Sequence, residues 1–375
     1  MEIIQSFCDT FDIRYYEQLD DNTKEFFYKA SQIVIERNVA NLPLAQVVTN
    51  YYKRMDNVSY LSGATRIEML KLHNKNILLI SDLHHPDEGV DCKGNFPNTI
   101  KVPLFLRELV SKEPFLFDLF SETNFSPDAL PIMNNSHLLR TVNKEFKDCF
   151  VPSFRNSSSN IRCHLADFRG TLSQVQAKLK SIMKDLPDTN HFKGILTSNK
   201  EDRVSAFKVF LEADITIEDY RQVQELLIQK VNKILKQLED EYISEDIIEA
   251  SWEVYMKYNI SRIKQNITRK KLFIREILTN KYYEQNFEFV KNVLLSAPLL
   301  DYYTLGRIFR IFDRKSYRPD IMSNIIIVAG EKHNELSKKV LEKRGFRSIY
   351  LSIEEDDKKK CLNIEDFDYR QLVLS

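Results

Sequence analysis

Two short apolar runs stand apart in a chain whose other hydrophobic positions mostly recur every three or four residues. Ile77 to Ile80 leads into Ser81, Asp82, Leu83, His84 and His85. Ile325 to Val328 leads into Ala329, Gly330, Glu331, Lys332 and His333. A continuous apolar run closed by small and polar residues is the pattern of a strand buried on both faces. Both runs end in acid-x-His, as Asp82-x-His84 and Glu331-x-His333. Ligands in open α/β sheets bind outside the carboxyl ends of the strands. Parallel pairing of the two runs would therefore bring both acid–His pairs to one edge.

Further strands are expected in PFLFDLFSETNF, ending at Glu122, and at Ile161–Leu165 and Ser348–Ile353. Asp118 interrupts the first of these without an evident reason. The second leads into Asp167 and Arg169 and is expected to hold His164, Asp167 and Arg169 together. Helical spacing marks most of residues 1–70, including 23–37 and a segment after Pro43. It also marks Val102–Val110, residues 137–149, and a helix from Thr216 with Asp219 as a capping partner. A further helix is expected over residues 246–266, extending to Leu278, and another over Glu335–Lys343, stopped by Gly345. The apolar stripe after Thr216 is expected to be covered by neighbouring helices of the same chain. Pro86, Gly89, Gly94 and Pro97 mark a loop that starts at the first acid–His end.

This order predicts an α/β fold: a mostly parallel central sheet with flanking helices and a long helical insertion. The divisions are an N-terminal helical segment (1–70), the first part of the core (71–170) and the insertion (171–300). The second part of the core (301–353) and an exposed, partly disordered tail (354–375) complete the chain.

Composition narrows the function. Lys plus Arg and Asp plus Glu are both 54, so the net charge is zero, which argues against a dedicated nucleic-acid binder. Eight glycines and no GxxxxGK[ST] or GxGxxG leave no phosphate-binding loop. No apolar run has the length of a membrane helix. Five cysteines at irregular spacing, with no CxxC, read as free thiols in a reducing, intracellular setting or a virion.

The candidate chemistry gathers at strand ends: Asp82 with His84 and His85, Glu122, His164 with Asp167 and Arg169, and Glu331 with His333. Of seven histidines, four fall in this set. Imidazole and carboxylate together suit a divalent transition metal such as Zn, Mn or Fe, here on His84, Glu122 and His333. Without a metal they could supply a histidine base oriented by a carboxylate. Arg169 could hold an anionic group or pair with an acid.

At ILLISDLHH, the strand ending in Glu122, IRCHLADFR, DYYTLGRIF and IIIVAGEKH, the chain resembles uncharacterised α/β proteins of large nucleocytoplasmic DNA viruses. That pattern is in turn distantly similar to the superfamily of erythromycin esterases, ChaN-like haem-uptake proteins and Tiki proteases. The resemblance covers roughly 75–170 and 300–350. It implies His84 and His333 as the motif histidines, Asp82 and Glu331 as their acids, and Glu122 as the middle-strand carboxylate. Ser81 stands where that motif usually has Gly, and Asp82 where it has Glu. The resemblance implies a hydrolase, with an unknown small-molecule or peptide substrate. The alternative is a non-catalytic virion or host-interaction protein that binds viral or host partners.

Overall fold

The structure, a computed structural model, describes residues 58–73, 75–82, 92, 96, 98–110, 116–124, 136–150, 161–167, 188–195, 200–235, 241–269, 297–310, 322–354 and 361–368. The strands are β1 (Tyr60–Ser62), β2 (Arg66–Leu72), β3 (Lys75–Asp82), β4 (Thr99–Lys101), β5 (Phe117–Asn124), β6 (Ile161–Asp167), β7 (Asn324–Gly330), β8 (Arg347–Ile353) and β9 (Cys361–Asn363). The helices are α1 (Val102–Val110), α2 (His137–Glu145), α3 (Lys147–Phe150), α4 (Asn190–Lys193), α5 (Lys200–Glu212), α6 (Ile217–Leu235) and α7 (Glu241–Ser251). A π-helical stretch (Trp252–Lys257), α8 (Tyr258–Arg269), α9 (Ala297–Phe309) and α10 (Glu331–Lys343) follow.

Six strands form the central sheet in the order β6-β5-β7-β3-β2-β8. The first four are parallel, and β2 runs antiparallel to both β3 and β8. The two apolar runs are neighbours, with Ile77 opposite Ile325 and Asp82 opposite Gly330. The expected α/β architecture is therefore present, and its two strand ends meet at one edge.

Alternation along the strands divides the core in two. Ile77, Leu79, Phe120, Ile325 and Ile327 point to one face, which the helices α4 to α10 cover. Leu78, Ile80, Leu119, Ile326 and Val328 point to the other, with α1, α2 and the chain around β9. The described helices of the insertion thus pack on their own chain, and Tyr220, Val223 and Leu227 of the stripe are buried there. The cap expected at α6 is formed: the Thr216 amide donates to Asp219 Oδ2 at 2.8 Å, and the Asp219 amide donates to Thr216 Oγ1 at 3.2 Å.

Several expectations are corrected. Residues 60–62 and 66–72 are strands, not the end of a helical segment. The sequence RIEMLKL alternates poorly because Glu68 is buried, held by Arg66 and by Lys338 of α10. The helices expected before residue 58 lie outside the described residues. The tail contains β9, buried at Cys361 and Leu362 and paired with β1.

Four of the five cysteines are not free thiols. Cys92 is bonded to Cys361 and Cys149 to Cys163. The first bond joins residues 269 apart in sequence, so no spacing motif could show it. Peptide mapping under non-reducing conditions is expected to recover both linked pairs. A protein whose 92, 149, 163 and 361 thiols all alkylate without reductant would contradict the pairing.

Candidate functional site

At the C-terminal edge of the parallel strands, the chain leaves β7 at Gly330 and enters α10 directly. His333 therefore lies in the first turn of a helix, not on a strand end. Residues two apart on a helix point to opposite sides, so His333 is buried while Glu331 is half-exposed. Glu331 cannot serve as its partner acid as expected.

Two other acids take that place. Glu122 on β5 sits beside His333, with Oε1 3.5 Å from Nε2. Its Oε2 accepts the Gly330 amide at 2.7 Å. Gly330 precedes α10 without a capping side chain, so the neighbouring strand's carboxylate meets the positive end of the helix. On the opposite side of the ring, Nδ1 lies 3.0 Å from Asp301 Oδ1 and 3.0 Å from the Tyr255 hydroxyl. Tyr255 donates to Asp301 Oδ2 at 3.2 Å. Burial pushes the Tyr255 phenol well above its ordinary value, and the nearby Asp301 and Glu122 add to this, so it stays protonated. Burial also raises the Asp301 carboxyl, against the opposing pull of His333 and Tyr255. With Tyr255 donating to Asp301 Oδ2, the His333 Nδ1–H is placed to donate to Asp301 Oδ1, and Nε2 faces Glu122.

Asp301 and Tyr255 were not among the expected site residues. Asp301 was legible in part, as the one acid in the otherwise uncharged run Ala297–Leu305. Tyr255 was not, because its placement depends on the π-helical stretch that interrupts the helix after Ser251. Such stretches recur at functional sites.

Asp82 is buried at the end of β3 but lies on the other face of the sheet from Glu122. It accepts a short hydrogen bond from Ser136, the N-cap of α2, whose Oγ in turn accepts the Leu139 amide. Asp82 is thus tied to α2 and not to His333. Ser81, on the His333 face, receives Asn334 Nδ2 at 3.0 Å, and the same amide donates to Ile80 O at 2.9 Å. Asn334 fastens α10 across β3 and β7. His84, His85 and Arg169 lie outside the described residues.

The expected grouping of His164 with Asp167 is also corrected. They are three positions apart on β6, so alternation sends them to opposite faces. His164 Nε2 lies 2.9 Å from Asp118 Oδ1, and Arg162 grips the same carboxylate with two bonds of 2.6 Å. This explains the acid inside β5: Asp118, Arg162 and His164 form one cross-strand tie. Burial pushes the His164 imidazole down despite Asp118. It is neutral and donates Nε2–H to the carboxylate, stacked on Phe120 at 4.3 Å between ring centroids.

Among the described residues, no group of three His, Cys, Asp or Glu side chains is arranged to hold a metal ion. Among them, no helix is long and apolar enough to cross a membrane. No protein-family model, curated protein or solved structure matches the chain.

The Asp118 tie has a pH signature. Burial would raise the Asp118 carboxyl, but the hydrogen bonds from His164 and Arg162 and the charge of Arg162 outweigh it and leave it lowered. A depressed folded-state value contributes stability above the unfolded value and loses it as pH falls through the folded one. The urea midpoint should therefore fall on acidification below about pH 4. Asp118→Asn should flatten that fall and cost about 3–5 kcal/mol near neutrality. An unchanged profile would show that the pair contributes nothing net.

Proposed function

We propose that the protein is a hydrolase in which His333 is the general acid–base, oriented by Asp301 and facing Glu122. The observation that carries this reading is the pair of carboxylates on opposite sides of one imidazole. A carboxylate on Nδ1 fixes the ring and stabilises the charge that forms when Nε2 takes a proton. Glu122, close to Nε2, can hold a water or a substrate hydroxyl against it. The position at the C-terminal edge of parallel strands is where α/β folds place their ligands. The substrate class is an ester, amide or phosphoester. The resemblance to the viral proteins and to the esterase-like superfamily agrees with this placement.

A divalent transition metal remains part of the proposal. Glu122 Oε1 and His333 Nε2 face each other with suitable donor chemistry, and His84, following β3, would be the third ligand. Such an ion would supply Lewis acidity and a water of lowered pKa. Elemental analysis of the purified protein tests this arm directly, for Zn, Mn and Fe.

One observation favours a second reading. All four side chains are almost wholly buried, with Asp301 fully so. A network like this can serve only to bind the helical layer to the sheet, in a non-catalytic virion or host-interaction protein. The two disulfides fit a non-reducing setting better than the cytosol.

Two substitutions separate these readings. His333→Ala removes the proton on Nδ1 and leaves Asp301 and Glu122 buried without it. It should destabilise the fold by about 3–5 kcal/mol. His333→Asn keeps an amide donor near Asp301 but lacks Nε2. It should fold, and should lose about 10²–10⁴-fold of the hydrolysis of nitrophenyl ester and phosphoester substrates. A folded Asn variant with full hydrolysis would place the chemistry elsewhere. Wild-type protein inert on both substrate types and free of metal would favour the scaffold.

A further inference from the structure

His164 uses one ring nitrogen and keeps the other open. Nε2 lies 2.9 Å from Asp118 Oδ1, and the ring is stacked on Phe120. Nδ1 makes no hydrogen bond among the described residues, and it is not a sealed atom: the side chain is 9% exposed, against 1% for Asp118. Burial keeps the ring neutral despite Asp118, and the charges of Arg307 and Arg162 act in the same direction. With its one hydrogen on Nε2, the ring presents a lone pair at Nδ1. Histidines that ligate or act as bases are commonly built this way, one nitrogen fixed by a carboxylate and the other open.

Arg307 lies near this lone pair. It follows Tyr303 by one turn of α9, donates Nε–H to the Tyr303 hydroxyl at 3.3 Å, and sets its guanidinium carbon 5.3 Å from that ring's centre. Tyr303 meets Phe120 edge-on, with centroids 6.5 Å apart. The charges that act on His164 are one carboxylate, Asp118, and two guanidiniums, Arg162 and Arg307. Arg162 already grips the carboxylate with two bonds, so the balance at the ring is positive and favours an anion over a metal cation. Asp118 lies four positions before Glu122 on β5, about 13 Å along the strand, which separates this place from His333.

We propose that His164 and Arg307 form a second binding site, for a hydrogen-phosphate group, either free or at the end of a phosphomonoester. The lone pair on Nδ1 needs a donor, and the guanidinium needs an anion. At about pH 6 a phosphate group carries both, an O–H and negative charge. Sulfate carries the charge without the hydrogen. The phosphate O–H donates to Nδ1, and its charged oxygens face Arg307. Asp118 is the positioning residue, because it fixes the ring and holds the hydrogen on Nε2.

Calorimetric titration of the full chain at about pH 6 should show binding of inorganic phosphate or phenyl phosphate, and weaker or no binding of sulfate at the same ionic strength. The tighter of the two phosphates identifies the source of the group. His164→Gln keeps an amide donor for Asp118 and removes Nδ1. It should fold, by circular dichroism, and weaken phosphate binding about tenfold, the worth of one hydrogen bond. Arg307→Gln should weaken it by at least as much. Should either variant fold poorly, the wild type decides the matter. The Nδ1 nitrogen resonance of His164, assigned through its contact with the Phe120 ring, should move on addition of phosphate and stay in place with sulfate. Absence of phosphate binding would overturn the proposal. So would sulfate binding of equal strength, undiminished affinity in a folded variant, or a His164 resonance that phosphate leaves unmoved.

Discussion

The parallel pairing of β3 with β7 is the constraint on which the rest depends. It joins segments about 250 residues apart, and loop closure over that distance is costly unless much apolar surface is buried in return. Seven consecutive buried residues on β7 supply that burial. Once the register is set, Gly330 lies beside the end of β5, and Glu122 can accept its amide. That bond fixes where α10 begins. It therefore fixes the depth and direction of His333, which lies in the first turn.

Strand alternation then sorts the polar residues into three groups with different work. Asp82 faces α2 and holds the start of that helix. Asp118, Arg162 and His164 tie β5 to β6 under the helical layer. Glu122 faces His333, Asp301 and Tyr255. Each group satisfies buried charge with a partner from another element, as burial of charge demands. The third differs from the others in its symmetry. One imidazole lies between two carboxylates, and the two ring nitrogens meet unlike surroundings. Asp301 and Tyr255 hold Nδ1 closely, while Glu122 stands at 3.5 Å from Nε2. On the proposed reading, Nε2 is the nitrogen that takes and gives the proton.

Much of this was legible in the sequence. The apolar runs at 77–80 and 325–328 announced two buried strands, and their matching ends announced the edge at which Glu122 and His333 meet. The cap at Thr216 and the helix at Val102–Val110 followed from local spacing. What escaped was whatever depends on a partner far along the chain. Asp301 pairs across 32 residues and Tyr255 across 78, and the Cys92–Cys361 bond across 269. Acid-x-His was misleading for a local reason. It pairs its residues on a strand but separates them on a helix, and after Gly330 the chain is helical. The Asp118 irregularity had the opposite character. It looked like a defect in an apolar run because its partners, Arg162 and His164, sit on a strand more than 40 residues away.

The central claim is that Asp301 holds the Nδ1–H of His333 and leaves Nε2 directed at Glu122. Long-range proton–nitrogen correlation of the imidazole, with His333 assigned through His333→Asn, measures this directly. The account predicts, above the pH at which the ring is charged, a protonated Nδ1 and a pyridine-like Nε2. In Asp301→Asn the two signals should converge as the tautomers mix. A wild-type ring protonated at Nε2, with Nδ1 bare toward Asp301, would contradict it.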